Sequence, residues 1–159
     1  MIMQISRGVV FRAVMLLLLV MSRFANAGTD LPMTISQAGT WYVEGVLDEK
    51  VNTAFLLDTG SGYVSLSEKT FRKIRDESST QFRRHIRAAM ANGKIISVPV
   101  YSVAKLTLGA NCTLTDVEVT VLASSDRDIL GLNAITAMQP LTIQLDPPAL
   151  KASCPIQKS

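Results

Sequence analysis

Between residues 55 and 66 the chain reads Phe55-Leu56-Leu57-Asp58-Thr59-Gly60-Ser61-Gly62-Tyr63-Val64-Ser65-Leu66. A strand that becomes continuously apolar over Phe55-Leu56-Leu57 should be covered on both faces, which sets Asp58 at the edge of a core. Gly60 permits a tight loop, and the hydroxyls of Thr59 and Ser61 can bond the loop and the carboxylate. Val64-Ser65-Leu66 restarts a strand on the far side. A carboxylate so placed suits acid/base work. Two such groups held about 3 Å apart cannot both ionise and share a proton, so one activates water while the other protonates the carbonyl or leaving nitrogen of a substrate. A peptide bond can be cleaved that way without metal, cofactor or covalent intermediate.

Upstream, Trp41–Leu47 and Val51–Leu57 flank the charged Asp48-Glu49-Lys50 and predict a hairpin, preceded by a short polar leader, residues 28–40. Downstream, Ser67 can cap a short helix through Arg75, with Phe71 and Ile74 on one face and Lys69, Arg72, Lys73 and Arg75 outside. The helix charges read as a solvated face, and for the basic cluster Arg83, Arg84 and Arg87 a binding patch is the less favoured reading. Asn92-Gly93 predicts a type I′ hairpin with arms Ile86–Ala91 and Lys94–Val100, where Pro99 confines the outgoing arm to an edge or bulge. Val103–Leu108 and Leu114–Leu122 alternate about Gly109-Ala110-Asn111 and predict a further hairpin, with Leu106, Leu108, Val117, Val119 and Val121 inward. A helix-like Leu132–Met138 and a strand Leu141–Leu145 follow, stopped by Pro147-Pro148, so that 147–159 reads as a tail. Short strands, tight turns and one or two short helices make the class mainly β.

The N-terminus has the three regions of a secretory signal peptide: Arg7 and Arg12, the apolar run Ala13–Met21, and the small-residue triplet Ala25-Asn26-Ala27. Cleavage after Ala27 is expected, giving an exported, periplasmic or secreted protein without a stable membrane span; the competing reading is an uncleaved anchor. Removal of 1–27 takes away Arg7, Arg12 and Arg23, and the 16 basic residues become 13 against 13 acidic ones. The mature chain is then neutral, and nucleic acid drops out as a partner. Cys112 and Cys154 can form one bridge in an oxidising compartment, or remain two independent thiols. Two cysteines and the single His85 predict no metal site. Asn111-Cys112-Thr113 matches a glycosylation acceptor.

The stretch Phe55–Leu66 resembles the active-site strand and loop of aspartic proteases. Met90-Ala91-Asn92-Gly93-Lys94 resembles the flap hairpin of retropepsin-like proteases, and Asp128-Ile129-Leu130-Gly131-Leu132-Asn133 resembles their late hydrophobic-hydrophobic-glycine element and the helix after it. The likeness covers roughly Trp41–Leu145 and is similar to exported bacterial forms. It implies a retropepsin-like acid-protease half-barrel over 41–146, with Asp58 catalytic, Thr59, Gly60 and Ser61 in the active-site loop, the flap closing over a polypeptide substrate, and Ile129, Leu130 and Gly131 as supports beneath. Asp-Thr-Gly occurs once, whereas two-lobed enzymes need two copies and about twice the length. The resemblance therefore implies a homodimer pairing Asp58 across a two-fold axis, with Thr59 bonding across it. The insertion Ser67–Arg87 and the Met/Ala-rich flap depart from the viral pattern. The alternative is a catalytically inactive exported β-domain that binds peptides or a partner protein.

Overall fold

The structure is a computed structural model and describes residues 28–77, 80–123 and 125–155. Among these residues ten strands and two helices follow in the order β1 (Thr29–Ile35), β2 (Trp41–Leu47), β3 (Val51–Leu57), β4 (Val64–Ser67), α1 (Glu68–Glu77), β5 (Gln81–Ala89), β6 (Ile95–Leu108), β7 (Cys112–Leu122), β8 (Asp128–Leu130), α2 (Leu132–Ala137), β9 (Leu141–Leu145) and β10 (Pro148–Ala152). The class is mainly β, with the two short helices on a single sheet. The proposed signal segment, residues 1–27, lies outside the described residues. Among those described, no helix is long and apolar enough to cross a membrane.

The strands run in the order β5-β6-β7-β4-β8-β3-β2-β1-β10-β9, and β6 also pairs β2. That last pairing, Gly45 opposite Leu108 and Leu47 opposite Leu106, closes β6, β7, β4, β8, β3 and β2 into a ring. Gly45 sits at the tightest point of the closure: a Cβ there would fall 2.8 Å from the Phe55 ring and 3.0 Å from Leu108. The interior is filled by Val43, Leu47, Phe55, Val64, Leu66, Val103, Leu106, Leu108, Val119 and Leu130. Their strands alternate inward apolar and outward polar positions, so one face of each strand supplies the core.

The leader and tail belong to this body. β1 pairs β10 from Thr29 opposite Ala152 to Pro32 opposite Ala149, then pairs β2 from Met33 opposite Val43 to Ile35 opposite Trp41. Leu31 and Met33 point into the core. Pro147-Pro148 turns the chain rather than stopping it, since β10 folds back on β9. A proline is tolerated as the first residue of a strand because no ladder donor is yet required. Cys112 and Cys154, 42 residues apart, are joined as a disulfide that ties the start of β7 to the segment after β10.

Ser67 caps α1, its Oγ accepting from the Thr70 N–H at 3.2 Å. Phe71 and Ile74 are buried on the inner face. Phe71 packs in a tilted contact on Tyr101 of β6 with ring centroids 4.5 Å apart, and Tyr101 in turn meets Phe82 of β5 edge-on at 5.7 Å. The helix thereby braces the base of the β5–β6 hairpin.

Candidate active site

Asp58 lies between β3 and β4, and β8 threads between those strands. β8 runs parallel to β3, with Leu56 opposite Ile129 and Leu57 opposite Leu130, and meets β4 at Ser65 opposite Ile129. The loop is therefore held from beneath. The Asp58 N–H donates to the Leu130 carbonyl at 3.2 Å, the Leu132 N–H to Ser61 O at 2.8 Å, and the Asn133 N–H to Gly62 O at 3.2 Å. Asn133 adds its side chain, accepting from the Val64 N–H and donating to the Glu118 carbonyl, both at 2.7 Å. Gly131 is required by close approach: a Cβ there would stand 2.2 Å from the Tyr63 carbonyl oxygen and 2.9 Å from that of Ser61.

Within the loop, the Gly60 N–H donates to Asp58 Oδ1 at 2.8 Å. The hydroxyls do not reach the carboxylate. Ser61 Oγ turns back to the Tyr63 carbonyl at 2.8 Å, and Thr59 is exposed with no hydrogen-bond partner for its hydroxyl among the described residues. Leu56, Leu57 and Asp58 are half-buried rather than buried. β2 and β8 satisfy both edges of β3 there, but lateral pairing leaves its faces only partly covered.

The β5–β6 hairpin projects over this loop. β6 pairs β7 only from Val100 onward, so Ile95–Pro99 are held by β5 alone, and Pro99 opposes His85 of the edge strand. The hairpin turn is not type I′. Met90 and Gly93 close it, with the Gly93 N–H donating to Met90 O at 2.8 Å, and of its residues only Gly93 has positive φ, 79°. Asn92 contributes its side chain, accepting from the Lys94 N–H at 3.0 Å. The turn is the bulged, longer hairpin connection.

Between loop and hairpin is a cleft of about 900 Å³, with Asp58 and Gly60–Tyr63 on one side and Ile86–Ala91 on the other. Met90 and Ala91 line it, whereas Asn92, Gly93 and Lys94 are exposed at the tip. Ile129 reaches the cleft floor, Leu130 is fully buried, and Gly131 packs under Tyr63. Cys112 and Cys154 do not line it.

Three features of the site had no clear mark in the sequence. Arg84 of β5 grips Glu118 of β7 through both guanidinium nitrogens, at 2.5 and 2.7 Å, and donates to the Tyr63 hydroxyl at 3.2 Å. These bonds raise the Arg84 pKa further above its ordinary value, and the Arg84 hydrogen bond lowers that of Glu118. Asp128 is 4% exposed and accepts from the Ser67 N–H at 2.7 Å, Thr53 Oγ1 at 2.5 Å and Thr70 Oγ1 at 2.6 Å, tying β3, β8 and the start of α1 together. Asn133 is the third. Asp128 and Asn133 bound the late element that resembles that of retropepsin-like proteases, but nothing local in it marks the bonds that they make. Among the described residues no group of three or more metal-ligating side chains occurs.

A family model described as "gag-polyprotein putative aspartyl protease" matches residues 43–137, from β2 through α2. The fold is similar to the crystal structure of a retropepsin-like aspartic protease from Rickettsia conorii, with a TM-score of 0.56 and 13% identity over 78% of this chain and 90% of that one. At that identity the likeness establishes the fold. No curated protein matches the chain.

Proposed function

The chain belongs to the family of gag-polyprotein aspartyl proteases, and from that premise we propose that it is an endopeptidase working as a homodimer, with Asp58 of each subunit forming the catalytic pair. The observation that carries the proposal is the position of Asp58: a half-buried carboxylate in a loop hydrogen-bonded to β8, opening onto a cleft of about 900 Å³ covered by the β5–β6 hairpin.

In the proposed reaction the two Asp58 carboxylates share one proton. The ionised one takes a proton from water, which attacks the scissile carbonyl, while the protonated one donates to the carbonyl oxygen. Collapse of the tetrahedral intermediate returns a proton to the leaving nitrogen. The Gly60 N–H on Asp58 Oδ1 fixes the direction of the carboxylate. The unengaged Thr59 hydroxyl is available to bond across the two-fold axis. The arm Ile86–Ala91 closes over the substrate.

A single Asp-Thr-Gly supports assembly of two chains. So does β9, an edge strand carrying exposed Ile143 and Leu145, whose unpaired backbone and apolar side chains suit burial between copies. The signal-like segment 1–27 supports action after export, and the Cys112–Cys154 disulfide is consistent with an oxidising compartment.

The test compares the mature chain with Asp58→Asn on unfolded protein at mildly acid pH. Cleavage by the parent and none by the folded variant is expected; equal cleavage by both would refute the mechanism. Specific activity should also rise with protein concentration as dimers form, and sedimentation as a strict monomer with or without substrate would exclude a shared site.

A further inference from the structure

Arginines near the cleft fall into two groups. Arg83 pairs with Asp116 at 3.1 Å and Arg84 with Glu118, so both charges are engaged within the fold. Arg87, on the flap arm, and Arg127, on the loop before β8, have guanidinium groups with no hydrogen-bond or ion-pair partner among the described residues. Both line the cleft that holds Asp58. They stand on different elements, one on the covering arm and one on the segment entering β8.

The two carboxylates of the same cleft, Asp58 and the exposed Asp126 next to Arg127, form no ion pair with either arginine among the described residues. Both arginines are exposed, so water meets their donors in the open cleft, and a carboxylate entering the cleft can take the place of that water. Two that remain unengaged against one cleft are placed to be satisfied by what enters it. Their planar forks match carboxylates in two-bonded geometry.

We infer that Arg87 and Arg127 set substrate preference, selecting extended peptides with Asp or Glu side chains close to the scissile bond. This rests on the peptidase reading for the bond cleaved, but the preference itself is a property of binding. The mature chain's equal numbers of acidic and basic residues give no overall field that would produce it, so the selection would be local to the cleft.

The experiment uses one neutral peptide framework with Glu, Gln or Lys placed in turn at positions flanking the bond. Cleavage is followed with the parent chain, and binding with Asp58→Asn by fluorescence anisotropy. At one or more positions Glu should be favoured over Gln by roughly twofold to fivefold, the range for an exposed charge pair, and the ratio should shrink as salt is raised. In Arg87→Gln/Arg127→Gln the Glu-to-Gln ratio should fall towards one. In Arg87→Glu/Arg127→Glu the Lys peptide should be favoured over Gln and Gln over Glu, an inversion that general loosening of the fold cannot produce. Equal binding of Glu and Gln peptides at every position, or an unchanged ratio in the double variants, overturns the inference. Glu preference in binding without any cleavage would refute the peptidase reading and uphold this one.

Discussion

Arg84 and Glu118 meet through two parallel hydrogen bonds that cross from the covering hairpin to β7, with the Tyr63 hydroxyl on the same guanidinium. The pair fixes one arm of the hairpin against the loop that carries Asp58. Because the Arg84 hydrogen bond holds the Glu118 pKa below its ordinary 4.5, the contribution is fully present above that value. It is lost as pH falls through the depressed one. Glu118→Gln should therefore be less stable than the parent at neutral pH and converge with it in strong acid. Urea midpoints of both proteins across that range check this; a constant difference at all pH values would refute the assignment.

Gly131→Ala should fold poorly or not at all. The added Cβ would meet the Tyr63 carbonyl at 2.2 Å, and backbone on both sides, fastened by the Asp58–Leu130 and Leu132–Ser61 bonds, cannot yield without breaking the loop. A loss of about 3 kcal/mol or more is expected from overpacking of this kind. Gly62→Ala, with nothing within 4 Å of its Cβ, is the control and should be near neutral in thermal unfolding.

Much of this arrangement was legible in the sequence where contacts are local. The β2–β3 hairpin, the Ser67 cap, the β6–β7 hairpin and the short α2 all follow from alternation, turn residues and capping. What escaped was non-local. β1 read as leader and β10 as tail because their alternation is short, is broken by Pro32 and Pro148, and is satisfied only when Thr29 meets Ala152. The two-residue turn with positive φ at both central positions was expected at Asn92-Gly93 but lies at Asp48-Glu49, with φ of 47° and 60°. Tertiary bonds decide this: Asp48 exchanges N–H and side-chain bonds with the Lys105 backbone at 2.8 and 2.7 Å. The Asp58 loop was visible as a motif, but its supports Asn133 and Asp128 act across 69 and 61 residues, beyond any local pattern.

Glu49→Gly follows from that turn. Glu49 occupies the left-handed region, where a side chain costs about 1 kcal/mol that glycine does not incur. The substitution also removes the exposed ion pair between Glu49 and Lys105, which solvent screens. The variant should be slightly more stable in chemical unfolding, because relief of the left-handed backbone outweighs a screened ion pair. A clear loss of stability would show that the Lys105 bond outweighs the backbone term.

Asp128→Ala should cost about 3 kcal/mol, because the Ser67 N–H, buried beside Thr53 and Thr70, is left without an acceptor. Asp128→Asn should cost less. Its amide oxygen can still accept from Ser67, and the threonine hydroxyls can rotate to accept from the amide nitrogen. If the two variants unfold at the same denaturant concentration, the carboxylate acts through its charge and not through its acceptor geometry.

Reduction of Cys112–Cys154 should destabilise the chain by about 4 kcal/mol, the chain-entropy expectation for a closed loop of this length. The loop spans the sequence from β7 to beyond β10 and contains β8, so unfastening it frees the C-terminal hairpin β9–β10 before it reaches the ring. The Asp58 loop is held by β8, inside the ring, and should keep its geometry at moderate denaturant. Hydrogen exchange with and without reductant distinguishes the two regions: protection should fall first in β1, β9 and β10 and persist in β3 and β8. Uniform loss across all ten strands would mean that the terminal strands and the ring unfold as one cooperative unit, and that β9 cannot loosen without taking the Asp58 loop with it.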